Sequence, residues 1–183
     1  MKFSGAHKLR VGIVSDTHGE IDFRIVEILN ECDLVIHAGD IGNSEVLSLL
    51  QPKSGNLVAV RGNNDIPKKW PRSDHAVLNN LSDSEVVSLP GGDIAIEHGH
   101  RIWDTKNYHK RLRVKYARAK MIVYGHTHIR LIERKQKPWV VNPGAAGRSR
   151  TFGGPSCLVL NATASSWRLR EFCFALHARK NAA

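Results

Sequence analysis

Five short apolar, β-branched runs are each followed at once by polar residues rich in Asp, Asn and His, and this repeated pattern limits the folds open to the chain. The five segments are VGIVSDTHG at 11–19, LVIHAGDIG at 34–42, LVAVRGNND at 57–65, IAIEHGH at 94–100 and MIVYGHTH at 121–128. Each segment predicts a buried strand that enters a glycine-containing loop. The pattern therefore predicts a sheet with polar side chains gathered at its strand ends.

The residues between the first three runs predict helices. Apolar residues recur at helical spacing after the first run, at Ile21, Ile25, Ile28 and Leu29. After the second run, Asn43 or Ser44 can cap a short helix through Leu50. The first half of the chain thus reads strand, helix, strand, helix, strand. This order favours a largely parallel sheet that binds its ligand outside the carboxyl ends of the strands.

The second half predicts another sheet. The segment EVVSLPGGDIAIEHG has the pattern of a hairpin around Pro90 to Asp93. Further short strands are predicted for LIERK, PWVVN, CLVLN and SWRLREFCF, and the stretch from about Thr105 to Ala119 is the one clear helix among them. Two sheets with helices outside them account for all of these elements.

Length and composition indicate one domain, residues 1–183, in the cytoplasm. The chain has 183 residues and 42% hydrophobic content, which suits a single globular domain. Its apolar runs all fall well short of the roughly 18 residues that span a bilayer, so no membrane association is expected. The N-terminal run VGIV stops at an aspartate, which does not indicate export. The three cysteines, Cys32, Cys157 and Cys173, show neither disulfide nor zinc-knuckle spacing.

The formal net charge of +10 favours anionic partners. Much of the basic charge lies in the stretch from Lys106 to Lys120, which contains Lys106, Lys110, Arg111, Arg113, Lys115, Arg118 and Lys120. This stretch fits a nucleic-acid surface, a solvated helix face or attraction of a phosphate-bearing substrate. The residues alone leave these three alternatives open.

The polar residues at the strand ends have the chemistry of a metal centre. They are Asp16, His18, Asp40, Asn63, His98, His126 and His128. Mixed oxygen and nitrogen donors without thiolate suit zinc, manganese, iron or nickel, and the set is too large for one tetrahedral ion. Two ions are therefore expected, with a bridging water that is deprotonated near neutral pH and attacks phosphorus in line. This chemistry hydrolyses a phosphate ester without a covalent enzyme intermediate.

The ordered motifs D-x-H, G-D, G-N, H-G-H and G-H-T-H resemble those of the calcineurin-like metallophosphoesterases, in particular the small single-domain bacterial and archaeal phosphodiesterases. The resemblance implies an α/β fold, a four-layer α/β/β/α sandwich of two mixed β-sheets flanked by helices. It also implies two divalent ions per chain, with manganese expected and nickel, zinc or iron as alternatives. By the same resemblance, Asp16, His18 and His128 hold one ion, Asn63, His98 and His126 hold the other, and Asp40 bridges them.

Other residues near these motifs are predicted to contact the substrate or support the site. Asn64 stands where many family members have a histidine credited with protonating the leaving group, and asparagine cannot deliver a proton at neutral pH. His100 is a candidate substrate contact or a supporting residue. Asn142, Pro143 and Gly144 resemble the family's NPG turn, and Arg148 beyond it is a candidate phosphate contact. His37 is expected to be a core histidine, and no role is assigned to His7, His75, His109 and His177.

Three functions are compatible with these motifs: a phosphodiesterase acting on small molecules, a nuclease acting on single- or double-stranded nucleic acid, and a non-catalytic scaffold. The scaffold has a precedent, because a retromer subunit resembles the family yet has lost some metal ligands. Here all seven ligand positions are filled, which favours an enzyme. The oligomeric state is not readable, since Trp70 and Trp139 fit either an interface or the core.

Overall fold

A computed structural model of the chain describes residues 1–3, 7–102 and 104–176. The described residues form ten strands and four α-helices. The strands are β1 (Lys8–Val14), β2 (Leu34–His37), β3 (Asn56–Ala59), β4 (Ser84–Leu89), β5 (Gly92–Glu97), β6 (Met121–Val123), β7 (Leu131–Glu133), β8 (Trp139–Asn142), β9 (Ser156–Thr163) and β10 (Trp167–Cys173). The helices are α1 (Phe23–Asn30), α2 (Ser44–Leu49), α3 (His75–Asn79) and α4 (Tyr108–Lys115).

The strands form two mixed five-stranded sheets. The first has the order β10-β9-β1-β2-β3, with β1, β2 and β3 parallel and β9 and β10 antiparallel. The second has the order β4-β5-β6-β8-β7, with β5, β6 and β8 parallel and β4 and β7 antiparallel at its edges. In both sheets the parallel strands bring their carboxyl ends to one edge.

The two sheets pack face to face around one apolar core. Val11 and Ile13 of β1 lie in the same buried cluster as Ile94 and Ile96 of β5 and Val123 of β6. The alternate residues of β1 face outward, because successive side chains of a strand point to opposite faces. Gly12 is one of them, and a Cβ at this position would lie 2.5 Å from Leu29 Cδ2, so glycine lets α1 pack closely against the sheet.

Helices cover the outer faces of both sheets. Ile25 and Leu29 of α1 pack on the first sheet with Val35 of β2. Leu112 of α4 packs on the second sheet with Ile122 of β6. The layers are thus helix, sheet, sheet and helix, and the predicted four-layer α/β/β/α sandwich of two mixed β-sheets is confirmed.

Most predicted elements are confirmed, but the C-terminal strands β9 and β10 belong to the first sheet rather than the second. Two helices also differ in their bounds. Asn43 caps α2, since its side-chain oxygen accepts a hydrogen bond from Val46 N at 3.1 Å. The first helix begins at Phe23, so Ile21 precedes it. The helix predicted over Thr105 to Ala119 has α-helical geometry only over Tyr108–Lys115 and follows a 3₁₀ turn at Thr105–Asn107.

The alternatives for the two tryptophans are settled in favour of the core. Trp70 is buried beside Ile41 and Leu78, and its indole Nε1 donates a hydrogen bond to Asp65. Trp139 is partly buried and packs against the core between the sheets. A search of the described helices finds none with the length and apolar character needed to cross a bilayer.

Candidate metal centre

The seven predicted ligands lie in the loops that follow five strands. Asp16 and His18 follow β1, Asp40 follows β2 and Asn63 follows β3 in the first sheet. In the second sheet, His98 follows β5, while His126 and His128 follow β6. The structure brings all seven side chains together at one site.

Backbone strain is concentrated at this site. Among the described residues other than glycine, positive φ angles occur at six positions: Asp16, His18, Asp40, His126, His128 and Arg150. Five of these six are predicted metal ligands. Such a conformation costs about 1–3 kcal/mol per residue and persists only where surrounding contacts enforce it. The strain therefore indicates that the loops are built to direct these side chains to one place.

A first donor group comprises Asp16, His18, Asp40 and His128. One ligand atom from each lies within 4.8 Å of every other. His128 Nε2 is 3.2 Å from Asp16 Oδ1 and 3.2 Å from His18 Nε2, and His18 Nε2 is 3.7 Å from Asp40 Oδ2. Apart from partly exposed His18, these residues are buried, which gives the group a low-dielectric setting.

A second donor group comprises Asn63, His98 and His126 and meets the first at Asp40. Asn63 Oδ1 lies 3.2 Å from His98 Nε2 and 3.0 Å from His126 Nδ1. His98 Nε2 also lies 3.3 Å from Asp40 Oδ2. Asn63 and His126 are exposed, whereas His98 is buried. The second group is therefore open to solvent on one side.

The donor atoms fit divalent cations. The Nδ1–H of His98 donates to the carbonyl of Ala38 at 2.9 Å, which leaves the Nε2 lone pair directed at Asn63 Oδ1 and Asp40 Oδ2. Three lone-pair atoms facing one another repel unless a proton or a metal ion lies between them. Ligands bound to one ion at about 2.1 Å are about 3.0–3.4 Å apart. Both groups contain separations of 3.0–3.3 Å, whereas His18 Nε2 and Asp40 Oδ2 are 3.7 Å apart.

The pKa values of the buried groups reflect both their burial and the opposite charges beside them. Burial raises the pKa of Asp16 to about 6, although the nearby His98 charge and the Ser15 hydroxyl oppose this change. Burial would also raise the pKa of Asp40, but hydrogen bonds and charge from His98, with hydrogen bonds from Asn64, hold it below its usual range. Burial lowers the pKa of His98, yet Asp40 and Asp16 raise it above its ordinary value overall.

Asp65 supports the site and was missed by the sequence reasoning. Its Oδ1 accepts hydrogen bonds from Ile41 N at 2.9 Å, Gly42 N at 3.0 Å and Trp70 Nε1 at 2.9 Å, and its Oδ2 accepts one from Gly62 N at 2.8 Å. The carboxylate thereby joins the loop that carries Asp40 to the loop that carries Asn63. A signal is present in the sequence, because Asp65 closes the GNND motif that follows the third apolar run.

The loop after β3 also approaches the Asp40 carboxylate closely. A Cβ on Gly62 would lie 2.2 Å from Asp40 Oδ1, so only glycine fits there. The Asn64 N–H and its side-chain Nδ2 donate to the two Asp40 oxygens at 2.7 and 2.6 Å, and Lys69 Nζ donates to Asn64 Oδ1. Asn64 therefore holds Asp40 in place in this structure, and its predicted contact with substrate stays a prediction.

The NPG turn lies against the two loops that carry Asp16 and His126. The Asn142 side chain donates to the carbonyl of Gly125 at 2.7 Å, next to His126. Ser15 Oγ donates to Gly144 O at 2.9 Å and to Asp16 Oδ2 at 2.7 Å. The turn thus links β8 to the first sheet at the site.

Arg150, rather than Arg148, is the arginine next to the donor groups. Arg148 Nε lies 3.4 Å from Glu20 Oε2, and its side chain is 84% exposed. Arg150 Nη2 lies 3.4 Å from His18 Nε2 and has a positive φ of 52°. The expected phosphate contact from Arg148 is therefore not supported, because its guanidinium is directed to Glu20.

The remaining histidines differ in their surroundings. His100 lies beside the second donor group, with its ring centroid 5.5 Å from that of His98, and its buried Nδ1 has no hydrogen-bond partner among the described residues. His109 contacts Glu133 and Tyr124, and His75 contacts the carbonyl of Pro67. His177 lies outside the described residues.

His37 is a core histidine, as predicted. Its Nδ1 accepts a hydrogen bond from Gly39 N at 3.2 Å, so its Nε2–H donates to Thr17 Oγ1 at 2.9 Å. The Thr17 hydroxyl in turn donates to the carbonyl of Ile41 at 2.9 Å. Both ring nitrogens are therefore satisfied by the neutral form, and burial with the nearby His98 charge lowers the pKa of His37 to about 3.

This lowered pKa predicts a loss of stability in acid. Below the ordinary pKa of 6.5 the unfolded chain binds a proton at His37, and the folded chain does not until the pH nears 3. His37 should therefore lower the free energy of unfolding of the metal-free protein by about 2 kcal/mol between pH 7 and pH 5. Urea denaturation of the wild-type protein and of His37→Gln at both pH values measures this contribution of His37 to the free energy of unfolding. The same pH dependence in both proteins would contradict the prediction.

Comparison with known proteins assigns the family. Residues 9–165 match the family model described as the Calcineurin-like phosphoesterase superfamily domain. The chain therefore belongs to the calcineurin-like phosphoesterase superfamily, a class of metal-dependent phosphoesterases.

Particular relatives agree with this assignment. The chain is 30% identical to a phosphodiesterase of Methanocaldococcus jannaschii over 144 residues, which cover 74% of this chain and 83% of the relative. A solved structure of an archaeal phosphodiesterase is similar with a TM-score of 0.67 at 26% identity, covering 90% of this chain and 100% of that one. Vps29 from Chaetomium thermophilum is similar with a TM-score of 0.74 at 16% identity, covering 90% and 88% of the two chains. At that identity the similarity to Vps29 shows the fold alone.

Proposed function

We propose that this protein is a dinuclear phosphodiesterase that hydrolyses a small phosphate diester by in-line attack. The observation that carries the proposal is the pair of donor groups that share Asp40, whose Oδ2 lies 3.7 Å from His18 Nε2 in one group and 3.3 Å from His98 Nε2 in the other. A shared carboxylate between two sets of imidazole and oxygen donors is the arrangement that suits two adjacent divalent ions.

Each ligand has a role in this proposal. Asp16, His18 and His128 would hold one ion, Asn63, His98 and His126 would hold the other, and Asp40 would bind both. Two divalent ions, with manganese expected and nickel, zinc or iron as alternatives, would supply a nucleophile at neutral pH and neutralise charge that develops on phosphoryl oxygens. The chain itself fixes the donors, since Ala38 O holds the tautomer of His98 and Asn64 holds both oxygens of Asp40.

The substrate approaches from the open side of the centre. Asn63 and His126 are exposed there, and Arg150 lies close to His18. A guanidinium beside ligands of a dication adds repulsion unless an anion is also bound, so Arg150 is suited to a non-bridging phosphate oxygen. His100 and Asn64, at the edges of the second group, are proposed to contact the substrate as well.

The test is hydrolysis of bis(p-nitrophenyl) phosphate beside p-nitrophenyl phosphate, with metal-stripped protein titrated with manganese, nickel or zinc. We expect diester cleavage that requires the metal and disappears in His98→Ala, because that imidazole lies between both carboxylates of the centre. Bound metal is counted in parallel by elemental analysis. Two bound ions without cleavage of either ester would refute the proposed activity.

Because residue 64 is an asparagine, we expect the rate of diester hydrolysis to depend strongly on the leaving group. An amide cannot protonate a departing alkoxide, and general-acid help is worth about 10²–10⁴-fold in rate. Diesters with p-nitrophenyl leaving groups should therefore be hydrolysed at least about 10²-fold faster than matched alkyl diesters. Asn64→His should narrow the difference, whereas Asn64→Gln, which adds no acid, should not. Equal rates across leaving groups of different pKa would refute this prediction.

The basic stretch from Lys106 to Lys120 favours a small substrate over nucleic acid. Arg111 pairs with Asp104 at 3.0 Å, Arg113 pairs with Glu133 at 2.5 Å and Lys115 pairs with Glu97. The ammonium of Lys120 lies 4.5 Å from the centroid of the Trp167 ring. Intramolecular partners thus occupy most of this charge, which leaves no continuous row of free cations to follow a nucleic-acid backbone along the described helix.

A further inference from the structure

A cavity opens directly beside the candidate metal centre. Its volume is about 500 Å³, and it is bounded by His126 on the side of the centre. Ile102, Tyr108 and Tyr124 form apolar walls, and Lys106 and Lys110 lie at its rim. His126 is the predicted ligand whose Nδ1 lies 3.0 Å from Asn63 Oδ1. A ligand whose phosphate is held at the centre therefore has room to extend into this cavity.

The cavity carries positive charge that its neighbours do not neutralise. The two acidic side chains near it are already engaged: Asp104 accepts from Asn107 and Arg111, and Glu133 accepts from His109 and Arg113. Lys106 and Lys110 are exposed, and within the described residues neither has an acidic partner. The rim thus presents two unpaired ammonium groups, in contrast to the paired cations farther along α4.

One wall of the cavity also has an unused polar atom. The Tyr108 hydroxyl oxygen is buried and has no hydrogen-bond partner among the described residues. It packs against Gly99, where a Cβ would clash with it at 1.9 Å, and Gly99 separates His98 from His100. The wall of the cavity is therefore in direct contact with the segment that carries the centre.

We propose that this cavity is a specificity pocket for a second phosphate, so that the substrate is a small phosphodiester that carries a further phosphate group. The inference rests on the proposed function, because it places the scissile phosphate at the metal centre. Lys106 and Lys110 bind the second phosphate, and Ile102, Tyr108 and Tyr124 cover the carbon skeleton between the two groups. An uncharged ligand would leave both ammonium groups without a counter-charge.

The test compares two nucleotides that differ by one phosphate. Calorimetry in the presence of manganese measures the affinity of the protein for thymidine 3′,5′-bisphosphate and for thymidine 5′-monophosphate. We expect the bisphosphate to bind about tenfold more tightly, since its second phosphate would pair with two exposed ammonium groups. The double variant Lys106→Ala/Lys110→Ala should lose this preference and keep its affinity for the monophosphate within about twofold.

A matched control removes equal charge elsewhere. Lys135 and Lys137 are exposed, lie between β7 and β8 and do not line the cavity. Lys135→Ala/Lys137→Ala should keep the tenfold preference, which separates the pocket from a general effect of net charge.

Equal affinities of the wild-type protein for the two nucleotides would refute the proposed second-phosphate pocket. The absence of detectable binding of either nucleotide would refute it as well. A preference that survives in Lys106→Ala/Lys110→Ala would overturn the assignment of the two lysines. Because the measurement is affinity rather than turnover, it is independent of the diester assay. Failure of that assay alone would refute the proposed function, whereas failure here alone would refute only the second-phosphate pocket.

Discussion

Asp40→Asn is expected to lower the kcat/KM for a chromogenic phosphodiester by at least about 10³-fold, which corresponds to about 4 kcal/mol of transition-state stabilisation. The Asp40 carboxylate is the one side chain common to both donor groups, at 3.7 Å from His18 Nε2 and 3.3 Å from His98 Nε2. An amide has a similar shape but no negative charge, and it offers one acceptor atom instead of two. Both ions should therefore bind more weakly.

The measurement combines steady-state kinetics with elemental analysis of bound metal. We expect fewer than two ions per chain in Asp40→Asn after dialysis, in contrast to the wild-type protein. Asp83→Asn is the matched control, because Asp83 is a half-exposed carboxylate that pairs with Arg101. Circular dichroism of both variants establishes that they are folded. Wild-type activity in a folded Asp40→Asn protein would show that Asp40 does not bridge the ions.

The fold and the position of the centre were predictable because they depend on local patterns. A β-branched run followed by glycine and polar residues identifies a strand end, and a strand–helix–strand order makes neighbouring strands parallel. The carboxyl ends of β1, β2 and β3 then have to meet, which brings Asp16, Asp40 and Asn63 together. The hairpin of β4 and β5 and the parallel pair of β5 and β6 also followed from local patterns. The C-terminal strands β9 and β10 were predicted with the second sheet but belong to the first, because their pairing with β1 depends on distant segments.

Other features depend on contacts between segments that are distant in the sequence, and these were not predictable. The choice between Arg148 and Arg150 depends on the backbone of one loop, where a positive φ of 52° directs Arg150 to His18. The cavity near His126 is formed in part by α4 and the loop before it. The sequence does not show which lysines and arginines of this region are paired with carboxylates. Only the structure separates paired Arg111 from unpaired Lys110.

Asp65 is the clearest example of a residue whose role depends on contacts between segments that are distant in the sequence. Its replacement should have the largest effect on stability. Asp65→Ala is expected to lower the free energy of unfolding by about 3–5 kcal/mol, because it leaves four donors, three of them in buried hydrogen bonds, without an acceptor. They are the N–H groups of Ile41, Gly42 and Gly62 and the indole of Trp70. Such a loss is a large part of the roughly 5–15 kcal/mol that stabilises a typical domain.

Asp65→Asn provides a milder test in case Asp65→Ala fails to fold. Asparagine keeps one oxygen for the donors on one side but places an NH₂ group against the donors on the other, so we expect a loss of about 2–3 kcal/mol. Asp33→Asn is the control, since Asp33 Oδ2 accepts a hydrogen bond from Arg10 N at 2.7 Å in a partly buried position. It should lose at most about 1 kcal/mol in the same urea denaturation.

The same variant connects stability to metal binding. Asp65 joins the loop of Asp40 to the loop of Asn63, so Asp65→Asn should also weaken manganese binding about 10-fold or more although Asp65 is not a ligand. The Asp33 side chain bonds to Arg10 and not to these loops, so Asp33→Asn should bind manganese as the wild-type protein does. Equal losses of stability in Asp65→Asn and Asp33→Asn, or unchanged manganese affinity in both, would show that the two loops hold the ligands without the Asp65 carboxylate.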